Sequence, residues 1–299
     1  MKEPPAPPED EPPAVPERQS TPFLVLQFFV FPMAIVASCV AVFVVFGLIA
    51  AEGKSAREYL ADVRSGGTNR RWQAAFELSK VIQGNKDKAL QDPRFVEELL
   101  ALFQEAEKDD PRVRRYLALA LGRMGDARAV PALLAVLREH DAQADSETLI
   151  YSIWALGAIR DPAALPELVR LADAEDNGVR KAAVYALGAL PGRDAQERLV
   201  LSLQDPVEDV RWNAALALAR RGDAAGAPVL RGMLDRRHLA GVAGLTDEQR
   251  EEAMLAAITA AGQLRDPQLR GALEELRKSD PSLKLRNAAG TTLDARPAP

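Results

Sequence analysis

The 299-residue sequence holds one cysteine and two histidines. Cys39 has no second cysteine to pair with, so cysteine usage says nothing of the redox compartment. Cys39, His140 and His238 are too scattered to give the spacing of a zinc site. There is no Gly-x-x-x-x-Gly-Lys-Ser/Thr phosphate loop, no Gly-x-Ser-x-Gly elbow and no Gly-x-Gly-x-x-Gly turn. A basic excess is also missing: 38 Lys and Arg face 43 Asp and Glu, a net charge of -5. That balance argues against a nucleic-acid partner. The carboxylates read as helix caps and solvated faces. These absences exclude a visible catalytic residue, cofactor or metal site, and the reading is of a protein that is not an enzyme and takes no small-molecule substrate.

What is present begins with a tail. Residues 1–22 are rich in proline, and the first 18 carry five acidic and two basic side chains. So little can be buried there that the segment reads as a disordered or polyproline-like tail. From Gln19 to Ala51 no side chain is charged, and Phe23–Ala51 is a 29-residue apolar run. About 20 helical residues cross a bilayer, so this run predicts one transmembrane helix, with Pro32 kinking it near its N-terminal end. The start is acidic and the run too long for a cleaved signal peptide. Val36-Ala37-Ser38-Cys39 resembles a lipoprotein cleavage box, but mostly apolar residues follow it. Lys54, Arg57, Arg64, Arg70 and Arg71 come after the run, which predicts a single-pass protein with its C-terminal part in the cytoplasm rather than the periplasm or outside. Residues 52–67 read as a juxtamembrane segment.

The remainder, residues 68–296, repeats itself. Arg71–Leu78, Arg114–Leu121, Arg180–Leu187 and Arg211–Leu218 each open on Arg, hold small residues in the middle and close on Leu. Leu149–Leu156 fits with Leu in place of Arg, and Met254–Ala261 and Arg286–Leu293 are weaker copies. The closing positions are 43, 35, 31, 31, 43 and 32 residues apart. Simpler amphipathic helices alternate with them, as at Ala129–Leu137, Leu165–Leu171 and Leu269–Leu276. Asp-Pro pairs at 92, 110, 161, 205, 266 and 280 mark helix starts. Gly125, Gly192 and Gly222 mark helix ends. The fold class is therefore all-α, an α-solenoid of about six to seven helical pairs. Residues 236–249 read as a loop inserted between two helices of one repeat, and the last copy as a frayed cap.

Val113-Arg114 to Gly125-Asp126, Val179-Arg180 to Gly192, and Val210-Arg211 to Gly222-Asp223 resemble HEAT repeats of the short bacterial type, also found in phycobilin lyase subunits. The resemblance implies a right-handed superhelix whose concave side is lined by the Arg-starting helices. It also implies that each leading Arg pairs with acidic residues of an adjacent repeat. It says little of activity.

The aromatics point to a working surface. With the leading Arg as position 2, Trp72 and Trp212 fall at position 3, Tyr116 and Tyr151 at 4, and Phe76, Trp154 and Tyr185 at 7. Positions 3, 4 and 7 share one helical face, while 5, 6 and 9 form the apolar seam. One reading is a groove for another protein, which could belong to a membrane complex; the other is that the rings fill gaps left by alanine. The leading functional expectation is a membrane-tethered scaffold that binds a protein through its concave face. The alternative is a lyase-like or accessory subunit of an enzyme or membrane complex, and a third is an architectural spacer.

Overall fold

The computed structural model describes residues 30–50, 54–84, 86–139 and 146–295. The proline-rich tail, residues 23–29 and His140 lie outside the described residues. Sixteen α-helices and no strand occur among those described. The chain divides into two compact units, Met1–Lys54 and Ser55–Pro299.

The first unit contributes helix α1, Phe31–Ala50. Its side chains from Phe31 to Val45 are exposed. Among the described residues, no helix is long and apolar enough to cross a membrane, which corrects the reading of Phe23–Ala51 as a membrane span and of the protein as single-pass with a cytoplasmic domain. The uncharged stretch is not one described helix. The described α-helix spans Phe31–Ala50, with Pro32 as its second residue.

The second unit is a two-row solenoid. Its first row consists of α3 (Thr68–Gly84), α5 (Pro111–Met124), α7 (Ser146–Ile159), α9 (Asn177–Leu187), α11 (Glu208–Arg220), α14 (Asp247–Ala261) and α16 (Leu283–Ala295). These contain the seven repeated segments. The second row consists of α2 (Ala56–Ser65), α4 (Pro93–Glu105), α6 (Val130–Glu139), α8 (Leu165–Leu171), α10 (Arg193–Ser202), α12 (Ala227–Leu234) and α15 (Pro267–Ser279). Each second-row helix packs on the first-row helix that follows it, giving seven pairs. The compact unit starts at Ser55, so the segment 52–67 contains the first solenoid helix, α2.

Burial explains the repeat. Leu78, Leu117, Leu121, Ile153 and Leu156 of the first row meet Leu99, Phe103, Leu133, Leu137 and Leu168 of the second in one core. Neighbouring first-row helices touch through small residues. A Cβ on Gly157 would stand 2.9 Å from the Cα of Ala186, and one on Gly188 would stand 2.7 Å from the Cβ of Ala217. Second-row helices touch one another more sparsely. A two-row stack bends toward the row whose members approach more closely, which makes the first row the inner side.

The ends follow the capping chemistry. Asp92, Asp110 and Asp266 accept hydrogen bonds from first-turn amides of α4, α5 and α15, each followed by Pro. Asp126, Asp161 and Asp223 head short 3-10 turns that lead into α6, α8 and α12. Gly125 closes α5 with φ 68° and Gly222 follows α11 with φ 74°, a region that favours glycine. Gly192, with φ 107°, is instead the entry to α10. The insertion is not a plain loop: Arg236–Ala240 forms a short helix, α13, and Thr246 and Gln249 form a capping box that starts α14. The last copy is a regular helix, α16, whose Thr292 fills the small-residue position against Gly262.

Candidate partner-binding face

On each first-row helix the seam at positions 5, 6 and 9 is buried, and positions 8 and 10 meet the neighbouring row members. That leaves 3, 4, 7 and 11 on the remaining face, where Phe76, Trp154 and Tyr185 are exposed but Trp212 and Ala182 are buried. The geometry brings five of the seven aromatic candidates together. Trp72 and Phe76 on α3 approach Tyr116 on α5, with ring centroids 6.4 and 5.1 Å apart. Tyr116 meets Tyr151 on α7 edge-on at 6.0 Å, and Tyr151 meets Trp154 at 5.2 Å. These are separations at which aromatic pairs attract. The ladder crosses three repeats and stays accessible: Phe76 is 36% and Trp154 40% exposed. Burial, then the neighbouring Tyr116 and Glu147, push the Tyr151 hydroxyl pKa upward and keep it neutral.

Two candidates stand apart. Tyr185 on α9 is 52% exposed, and among the described residues no ring contact joins it to the ladder. Trp212 on α11 is only 8% exposed and sits in the core beside Ala214, Ala215 and Ala217.

The leading arginines are structural. Arg180 donates to Asp205 at 2.9 and 3.2 Å, and to the carbonyls of Ala174 and Glu175. Arg211 donates to the carbonyls of Asp205 and Pro206, and Arg286 to that of Asp280. Each guanidinium thus satisfies carbonyls five or six residues earlier, at the turn before its own helix. Arg114 instead stacks its guanidinium 5.4 Å from the centroid of Phe103.

The aromatic pattern gave no sign of the cations on the ladder. Arg112 lies 4.7 Å from the Trp72 centroid, and Lys80 4.9 Å from that of Phe76. Arg112 is held there by a bidentate pair with Asp110. That hydrogen-bonded pair raises the Arg112 pKa and lowers that of Asp110. Sequence spacing could have shown Lys80, four residues after Phe76, but not Arg112, which arrives from the next helix.

Two hollows lie elsewhere. One, of about 610 Å³, opens between α14, α15 and α16 beside Gly262, Arg265 and Thr292. The other, of about 710 Å³, is bounded by Glu208, Asp209, His238 and the inserted residues 241–245. In it His238 Nε2 lies 3.1 Å from Glu208 Oε1. No group of His, Cys, Asp and Glu suited to a metal ion occurs among the described residues.

A family model described as HEAT repeats matches residues 69–148, 141–200 and 176–244. The structure is similar to that of the complex of CpcE and CpcF of phycocyanin lyase from Nostoc sp., with TM-score 0.53 and 23% identity, covering 81% of this chain and 96% of that one. A structure of YibA from Escherichia coli is similar at TM-score 0.47 and 20% identity, with coverage of 83% and 84%. The archaeal HEAT-like repeats protein of Thermococcus onnurineus is similar at TM-score 0.41 and 16% identity, with coverage of 81% and 97%. At these identities the likeness is one of fold. No curated protein matches in sequence.

Proposed function

The chain belongs to the HEAT-repeat family, and from that premise we propose that it is a non-catalytic scaffold whose first-row face binds another protein. The observation that carries this reading is the ring ladder from Trp72 to Trp154. Its aromatic side chains are locked against one another across three repeats, with Phe76 and Trp154 exposed and Trp72, Tyr116 and Tyr151 partly buried. Aromatic side chains dominate interface energetics, and rigid ones lose little entropy on binding. A chain that needed them only as filler would bury them, as it buries Trp212. The test is a pull-down with the full chain against a variant carrying Trp72→Ala, Tyr151→Ala and Trp154→Ala. The variant should fold normally and lose its partner; full retention of every partner would end the proposal.

A second reading has one observation in its favour. The fold of the phycocyanin lyase complex matches over 96% of that chain, and that structure is a pair of proteins. In this reading the present chain is an accessory subunit of an enzyme. It would then bind a tetrapyrrole or a lyase partner, and purified protein mixed with a bilin would gain visible absorbance. An unchanged spectrum at saturating bilin removes this reading.

A further inference from the structure

We propose that the first-row face takes an extended, acidic, proline-containing segment of its partner, with prolines on the rings and carboxylates along one cationic edge. This rests on the reading of that face as the binding surface.

The charge pattern carries it. Across all seven first-row helices, positions 3, 4, 7 and 11 contain no Asp or Glu, but they do contain Lys80, Arg115, Arg123, Lys181 and Arg220. This occurs in a chain where acids outnumber bases, 43 to 38. Acids do stand one turn earlier, at the N-terminal edge of the face. Two of them, Glu147 and Asp209, are tied to Arg115 and Lys181. The C-terminal edge, at position 11, carries Lys80, Arg123 and Arg220. Lys80 pairs with Glu77, one turn back. Arg123 donates to the Ser79 hydroxyl at 3.0 Å. Neither Arg123 nor Arg220 makes an ion pair among the described residues.

The rings argue the same way. The positions that a cationic ligand would seek, over Trp72 and Phe76, are already held by Arg112 and Lys80. A basic partner would meet like charges on filled sites. An apolar, acidic one finds the Tyr116, Tyr151 and Trp154 rings together with Arg123 and Arg220, which make no ion pair among the described residues. The ladder advances in steps of 5.1 to 6.4 Å. A polyproline strand rises ~3.1 Å per residue, so alternate residues stand about 6 Å apart. Trp72, Tyr116 and Tyr151 of the ladder are partly buried, and neither hollow is lined by a ladder ring. That suits the docking of extended proline-rich chains on aromatic surfaces better than a helix, which needs a trough.

Fluorescence anisotropy tests this with the full chain and three labelled probes: (Glu-Pro-Pro)5, (Gln-Pro-Pro)5 and (Lys-Pro-Pro)5. At low salt the acidic probe should bind at least about tenfold more tightly than the neutral one, and the basic probe most weakly. Reversing the two exposed edge cations, Lys80→Glu with Arg220→Glu, should abolish the acidic preference, and Arg123→Gln should weaken it without reversing it. Binding of the acidic probe no tighter than the basic one overturns the proposal, as does a preference unchanged by the reversal. If no probe binds while the triple aromatic variant loses its natural partner, the partner class is wrong and the binding face stands. If that variant keeps its partner, both fall.

Discussion

Gly122 on α5 lies so near α7 that a Cβ on it would stand 2.6 Å from the Ala155 Cα. The same pairing recurs at Gly157 with Ala186, Gly188 with Ala217, and Gly262 with Thr292. A small residue at position 10 of one helix receives position 8 of the next, and this contact sets the spacing of the first row. In α16, the last described helix, position 10 is Asp294, a charged side chain that is 80% exposed.

A side chain added at this contact forces the row apart. Gly157→Val should cost about 1–3 kcal/mol or more, because backbone cannot yield as a flexible side chain can. Gly271→Ala is the control: it lies inside α15 with nothing within 4 Å of a new Cβ. It should stabilise by about 0.5–1 kcal/mol through helix propensity. Chemical denaturation of both variants checks the pair of signs.

Removing an accessible ring and a buried ring should separate binding from stability. Trp154→Ala should cost less than about 1 kcal/mol, since the ring remains 40% exposed. Trp212→Ala should cost about 3–4 kcal/mol, the usual result of emptying a buried aromatic site. Thermal melts of the two variants distinguish them, and only Trp154→Ala should affect partner binding at a temperature where both are folded.

The Arg180–Asp205 pair predicts an acid sensitivity. Burial opposes the charge on Asp205, but hydrogen bonds from Arg180 and the Val207 amide outweigh it and hold the pKa below 3.8. A carboxylate whose folded pKa is depressed contributes stability above its unfolded pKa. That contribution fades as pH falls below about 4 and through the folded value. Asp205→Asn should lose about 2–3 kcal/mol at pH 7. Its melting temperature should then fall less steeply than the parent's between neutral pH and acid. Parallel slopes would show that the pair contributes nothing.

Much of this was legible because the repeats state their physics locally. Arg at position 2, alanine in the middle and Asp-Pro at the turns each answer a short-range requirement: a carbonyl to satisfy, a close approach, a free amide. The glycines at position 10 were visible as a pattern, but their partners were not, since Gly122 and Ala155 lie 33 residues apart. The misreadings concern context. Gly192 opens a helix, not closes one: α9 ends at Leu187 and α10 begins directly after Gly192, at Arg193. The insertion was taken for loop because Arg236–Ala240 is too short to show periodicity, although Leu239 is fully buried. The span is an expectation from uncharged length, while among the described residues no helix is long and apolar enough to cross a membrane.

The most direct test of the central claim is site-specific photo-crosslinking in the native host. A photoreactive phenylalanine analogue replaces Phe76, Trp154 or Tyr185 on the first-row face, or Leu201 on α10, which is 64% exposed in the second row. The account predicts one common crosslinked partner from positions 76, 154 and 185, and none from 201. Crosslinks to that partner from 201 alone, or equally from all four positions, would contradict it.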